Sequence, residues 1–351
     1  MSASIHSLPE PMSNSQPSPA TEQPLLEIRG LRKFFPVKGG VFLRAKAQLK
    51  AVDGVDLQLM PGETLGLVGE SGCGKSTLGK CVCRLHDVTE GQIFFEGTDI
   101  TQLKSKALKP YRRNIQMIFQ DPAESLNARH SVGNLLEEPL LIHGVKSTSE
   151  RRKKVLELLD TVGLPAESIE RFPFEFSGGQ RQRIGIARAL SLNPSLIVCD
   201  EPVSALDVSV QSQILNLMMD LQTQFNLSYL FIAHDLAVVK HISDRIAIMY
   251  LGKIVEVGPA ETIFREPLHA YTRALISAIP LPEPKVTRQR IILKGDVPSP
   301  IDPPPGCAFA RRSWLDCTEE ELQQPGTFKE VAPGHWVELH PGTVENYKDY
   351  L

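Results

Sequence analysis

The apolar run Thr64-Leu65-Gly66-Leu67-Val68 leads directly into GESGCGKST, Gly69 to Thr77. The second segment fits GxxxxGK[ST] at every fixed position, and the first supplies the buried strand from which such a loop must depart. Together they demand a strand–turn–helix unit in an α/β sheet. Gly69, Gly72 and Gly74 let the backbone turn so that successive N–H groups converge, and a helix beginning near Lys75 adds the positive end of its dipole. Phosphate is the natural occupant of that nest. Lys75 would reach the outer phosphates as a point charge, Ser76 would put its hydroxyl on Mg2+, and Thr77 would contact the α-phosphate side. Ser71 and Cys73 belong to the same nucleotide-binding set.

A second helix start of the same kind lies a hundred residues on, in Phe176-Ser177-Gly178-Gly179-Gln180-Arg181-Gln182-Arg183. Ser177 suits an N-cap, Gly178 and Gly179 expose backbone N–H groups, and Gln180 to Leu190 continues as a helix with Ile184, Ala187 and Leu190 on one face. One chain should not need two phosphate-facing helix starts.

Other polar residues close apolar runs. Cys199-Asp200-Glu201-Pro202 ends the run from Ser195, and a carboxylate at the end of a buried strand is where such an enzyme holds its metal. Asp200 is assigned to Mg2+, with Ser76. Glu201, one residue on, faces elsewhere and is assigned as general base toward the attacking water. A bare turn before Pro202 is the alternative for this dipeptide taken alone. His234 ends Ser228 to Ala233 and would face the γ-phosphate from the carboxyl edge of the sheet, although a lone strand-end histidine is more often just exposed. Gln120 ends Ile115 to Phe119 and could reach Mg2+ or water with its amide oxygen, or be an ordinary polar strand end.

The chain has 351 residues, 42% hydrophobic and 23% charged, enough for one large or two modest domains. Its formal net charge of −3 offers no electrostatic case for a nucleic-acid partner. No apolar run approaches the roughly 18 residues of a membrane span, and the six cysteines are expected to be reduced. Residues 1–24, rich in Ser, Pro and Gln, read as a disordered leader. Residues 25–258 form the nucleotide-binding domain. It has half-exposed antiparallel strands over Leu25–Ile28 and Val52–Leu59 separated by a polar insertion around Lys38 to Lys50, a mainly parallel buried sheet, and an inserted helical subdomain at about 121–180. Residues 259–351 read as a loop-rich extension with one helix, Ala270 to Ala278, and Pro-rich segments.

Taken in order, GESGCGKST, FQDP, FSGGQRQR, CDEP, SALD and AHD resemble the ATP-binding subunits of ABC transporters, over about Leu25 to Gly258. The resemblance implies that Phe35 stacks on adenine, that Gln120 and His234 serve as Q-loop and switch, and that Ser204 to Asp207 is the D-loop. It also implies that Ser177, Gly178, Gly179, Gln180 and Asp207 complete the ATP site of a second ATPase subunit, identical or paralogous, so that ATP is sandwiched between two subunits. Phe176 departs from the leucine that usually begins the signature.

Segments outside these motifs, among them Phe35-Pro36-Val37-Lys38 and His269-Ala270-Tyr271-Thr272-Arg273, resemble the second ATPase subunit of oligopeptide and dipeptide importers, a group that includes nickel and glutathione systems. That resemblance implies two transmembrane permease subunits, docked through about Asp121 to His143, a solute-binding protein, and a peripheral place on the cytoplasmic face of the inner membrane. Nickel or glutathione is the alternative cargo, and a non-transport ATPase acting on nucleic acid or ribosomes the more distant one. The group's extension can carry four cysteines for an iron–sulfur cluster. Here Cys307 and Cys317 remain, while Ser313 and Leu339 stand where others are expected; two thiolates are too few, and no cluster is expected.

Overall fold

The computed structural model describes residues 23–39, 44–279, 290–301, 303 and 305–350. Most of the expected leader, Gly40 to Leu43, and the Pro-rich stretch from Pro280 lie outside these residues.

Twelve strands occur among the described residues, in two sheets. β1 (Leu26–Gly39) and β2 (Arg44–Leu59) form a long antiparallel pair. The expected polar insertion between them is corrected: the pairing runs on past Phe34↔Lys50 to Gly39↔Arg44, so most of the segment around Lys38 to Lys50 is strand. Its lysines and arginine hid the strand because a two-stranded ribbon needs no apolar face of its own to keep its backbone pairing.

β3 (Thr64–Val68) follows, then β4 (Glu90–Phe95), which pairs with β1, and β5 (Thr98–Asp99), which completes the first sheet in the order β2-β1-β4-β5. The second sheet adds β6 (Ile115–Ile118), β7 (Leu196–Asp200), β8 (Ser228–Ala233), β9 (Arg245–Tyr250), β10 (Lys253–Pro259), β11 (Thr327–Ala332) and β12 (His335–Leu339). Its order is β11-β12-β10-β9-β3-β8-β7-β6. From β6 to β9 the neighbours are parallel, and from β9 to β11 antiparallel.

The parallel strands are buried on both faces, and the two-residue period sorts their side chains. Leu65, Leu67, Val198, Leu230 and Ile232 face Leu78 and Val82 of α1 (Lys75–Val82) and the first sheet. Ile197, Cys199, Tyr229 and Phe231 face the opposite way. α2 (Ser105–Asn114) leads into β6, and four α-helices then intervene before β7: α3 (Pro122–Ser125), α4 (Val132–Ile142), α5 (Thr148–Thr161) and α6 (Gly178–Leu190). α7 (Val208–Phe225) and α8 (Leu236–Ile242) cover the second face of the sheet with Ile214, Met218, Leu221, Val239 and Ile242.

Beyond β10 come α9 (Ala260–Arg265), α10 (Ala270–Ser277) and α11 (Glu319–Leu322). The loop-rich reading of this region misses β11 and β12, which continue the central sheet by pairing β12 to β10 at Val337↔Glu256 and Trp336↔Val257. Tyr271 and Phe309 of the extension are fully buried in the same core as β8.

Candidate functional site

Parallel strands bring their carboxyl ends to one edge, where ligands of open α/β sheets gather. At the end of β3 the chain turns through Gly72 (φ 79°) and Gly74 (φ 111°) into α1. The glycines are required by space as well as by φ. A Cβ on Gly74 would lie 2.0 Å from the Ala51 carbonyl oxygen, and one on Gly69 would lie 2.1 Å from that of Met249. The loop is thus clasped between β2 and β9. Lys75 is buried, and its Nζ donates to the carbonyls of Gly69 at 2.8 Å and Glu70 at 3.0 Å. Its ammonium therefore lies inside the concavity of its own loop. Ser71 is exposed, while Ser76 and Thr77 are half-buried. Cys73 turns inward: burial pushes its thiol pKa up, its N–H bonds to the Glu70 carbonyl, and its carbonyl accepts from Gly252.

Ser76 Oγ donates to Asp200 Oδ1 at 2.7 Å, across 124 residues of sequence. Asp200 is buried at the end of β7, and burial raises its carboxyl pKa, with the Ser76 hydroxyl pulling the other way. A hydroxyl and a carboxylate held together in this way are hard oxygen donors and fit Mg2+. Glu201 takes a left-handed backbone (φ 47°), its N–H donating to the Ile232 carbonyl at 2.9 Å. One carboxylate oxygen, Oε2, receives both Gln120 Nε2 and His234 Nδ1, each at 3.1 Å. Residues from the ends of β6, β7 and β8 thus meet on a single oxygen, beside the Ser76–Asp200 pair.

The second helix start is built locally. Ser177 caps α6: its Oγ accepts from Gln180 N at 3.4 Å, and Gln180 Oε1 accepts from Ser177 N at 3.0 Å. Asp207 caps α7 in the same way, accepting from Val210 N at 2.9 Å and Ser209 Oγ at 2.6 Å. These bonds hold its carboxyl below the ordinary range. The two helix starts touch through glycine: a Cβ on Gly179 would lie 2.5 Å from Val210 Cγ1, and one on Gly178 3.3 Å from Leu206 Cδ2. Among the described residues no hydrogen bond joins Ser177, Gln180 or Asp207 to residues 69–77.

Phe35 stands apart from the phosphate loop but on a strand that leads to it. It pairs with Leu49, two residues before the Ala51 that clasps Gly74. Its half-buried ring meets His86 edge-on at 5.6 Å and lies under Lys33 Nζ at 4.8 Å. A groove of about 680 Å3 opens beside Gln120, lined by Asp121, Glu124, Pro139, Ile142 and Arg188, with Ile142 more than half exposed.

In the extension, Cys307 and Cys317 are both free thiols. Cys307 Sγ faces Glu338 Oε2 at 3.5 Å, Ser313 Oγ accepts from Leu315 N, and Leu339 is a buried apolar residue of β12. Three residues at the loop were missed from sequence: Glu70 sits at a variable position of GxxxxGK[ST], and its partners Tyr271 and Arg312 are more than 200 residues away with no pattern that points back to it.

Residues 52–204 match the ABC transporter family, and residues 255–319 match the oligopeptide/dipeptide transporter C-terminal region. The chain is 52% identical over 326 residues to the oligopeptide transport ATP-binding protein AppF of Bacillus subtilis, covering 92% of this chain and 98% of that one. It is 53% identical over 302 residues to the dipeptide transport ATP-binding protein DppF of Haemophilus influenzae, covering 86% and 92%. An ATP-binding cassette solved as a dimer in a post-hydrolysis state with ADP and Pi superposes with a TM-score of 0.60 at 29% identity, over 67% of this chain and 98% of that one. The P-loop ATPase fold, the nucleotide chemistry and the two matched regions agree: the chain belongs to the ABC transporter family, among the ATP-binding subunits that carry the oligopeptide/dipeptide C-terminal region.

Proposed function

We propose that this ATPase subunit energises import of oligopeptides or dipeptides, working in a pair of ATPase subunits docked on two transmembrane permeases, with a solute-binding protein delivering cargo. The single observation that carries the mechanism is the convergence of Gln120 and His234 on Glu201 Oε2, next to Ser76 and Asp200.

Glu201 is the general base. With Oε2 engaged twice, its other carboxylate oxygen is left to take a proton from the attacking water, and general-base catalysis contributes roughly 10²–10⁴-fold. His234 and Gln120 fix the carboxylate's orientation, and His234 keeps its second ring nitrogen for the γ-phosphate. Lys75 exchanges the Gly69 and Glu70 carbonyls for the outer phosphates of ATP. Ser76, Asp200 and the Gln120 amide oxygen are the groups that would hold Mg2+, which when bound neutralises charge on the phosphate oxygens. Phe35 serves the adenine.

The second half of the reaction site comes from the partner subunit. Ser177 with the N–H groups of Gly178 and Gly179 faces the γ-phosphate held by the partner's loop, and Asp207 lies at the same interface. Loss of that phosphate removes the bridge, and the pair shifts from closed to open. The groove beside Gln120 receives a permease segment, so that the amide reporting on Glu201 also lines the docking surface. Among the described residues no helix is long and apolar enough to cross a membrane; the subunit works peripherally, on the cytoplasmic face of the inner membrane.

The test is Glu201→Gln. Turnover should fall at least about a hundredfold while ATP binding persists and an ATP-dependent dimer accumulates on a sizing column. Turnover close to wild type would refute the assignment.

A further inference from the structure

Glu70, the second residue of the phosphate loop, is held at every polar group it has. Its carboxylate receives Arg312 Nη1 at 2.9 Å and Nη2 at 3.4 Å, its N–H donates to Tyr271 Oη at 2.8 Å, and its carbonyl accepts from Lys75 at 3.0 Å. Two of these three holds come from the C-terminal extension. Arg312 closes the short 3-10 turn Ala310–Arg312, and its guanidinium centre lies 5.8 Å from the Tyr250 ring. Tyr250, Tyr271 and Phe309 pack on one another at centroid distances of 4.9 to 5.4 Å, which makes a stiff platform for both partners of Glu70.

The pairing is an unusual one for stability alone. Arg312 is 8% exposed and its Nε is buried with no hydrogen-bond partner. An ion pair with one partner buried adds little to stability, because desolvation offsets much of the attraction. What the pair does have is a position. A carboxylate one residue into a loop that must hold a triphosphate opposes its own ligand, and Arg312 cancels that charge with a bidentate contact.

We propose that Arg312 is a positioning residue for ATP: it neutralises Glu70 and pins the start of the phosphate loop, so that the C-terminal extension sets the affinity of the nucleotide site. The proposal rests on the ATPase reading above. It makes the extension part of the nucleotide machinery of this chain, through Arg312 and Tyr271.

The experiment measures binding of Mg2+–ATP to the full chain by calorimetry, for wild type, Arg312→Gln and the double variant Glu70→Gln/Arg312→Gln, at low and at high salt. Arg312→Gln should weaken binding about tenfold at low ionic strength, with the defect shrinking at high salt because a bare carboxylate is then screened. The double variant should return to within about threefold of wild type, since the opposing charge has gone with its partner. A defect of equal size in single and double variants, independent of salt, would mark a merely structural contact and overturn the proposal, as would an Arg312→Gln affinity within about twofold of wild type. Should Arg312→Gln fail to fold, Glu70→Gln alone decides: with Arg312 left uncompensated beside the phosphates, ATP should bind more tightly at low salt, and unchanged or weaker binding counts against the proposal. A wild-type chain that binds no ATP would instead refute the ATPase reading.

Discussion

Glu201 draws its partners from Gln120, 81 residues away, and from His234, 33 residues away, whereas Ser177 draws its partner from Gln180, only three residues away. On the proposed reading, the same chain carries one half of an ATP site assembled from the ends of several strands and another half folded from a single helix turn. The first exists only when the whole parallel sheet is in register. The second is a capping box that would form wherever the helix forms. Side chains of the strand-end half are spent on one another across the fold and cap no helix of their own. Those of the signature half cap α6 or α7 in their own chain, and in the proposed pair they would also offer a surface to another, so the two roles must be separated by design.

Ser177→Asp makes that separation most sharply. Aspartate is as good an N-cap as serine, so the melting temperature should stay within about 1 °C of wild type. The new charge would face a partner's γ-phosphate, and turnover should fall by about a hundredfold, the scale of losing a donor aimed at developing charge. Equal loss of stability and turnover would show that the helix start acts only as a cap. Gly179→Ala tests the packing of the same region: its Cβ would meet Val210 Cγ1 at 2.5 Å, and overpacking of this kind costs about 1–3 kcal/mol, or roughly 3–8 °C in thermal melts. The accompanying Val210→Ala should recover most of it. The smallest effect belongs to the strand-end half. Asp200 has a raised pKa, so its ionised form is disfavoured in the fold; that penalty is present at neutral pH and is relieved as pH falls through its folded pKa. Asp200→Asn should therefore stabilise the nucleotide-free protein at pH 7 by about 1–3 °C in calorimetry, while turnover is lost. A destabilised Asn variant would mean that the carboxylate holds the fold as well as the site.

The same contrast explains what could be read from the residues. The phosphate loop, the N-cap at Ser177, and the runs ending at Asp200 and Ala233 announce themselves within ten residues, because local spacing is what positions them. The hold of Glu201 on Gln120 and His234 is a matter of which strands are neighbours, and strand order is not written in any one segment; the residues themselves offer the three as strand-end candidates, and the family resemblance adds the Q-loop and switch roles of Gln120 and His234. Charged residues fill the β1–β2 ribbon where it leaves the core and mask its strand pattern. β11 and β12 were missed because Thr327-Phe328-Lys329-Glu330-Val331 and His335-Trp336-Val337-Glu338-Leu339 lie in a Pro-rich tail whose composition suggested loops. The Glu70–Arg312 pair has no local signal at all, since neither residue stands in a spacing that points to the other.

The left-handed backbone at Glu201 separates the interests of chemistry and architecture at one position. Glycine would adopt φ 47° with less strain than any side chain, so the backbone itself does not call for glutamate there. On the proposed reading, Glu201→Gly would keep a well-folded cassette and lose only turnover.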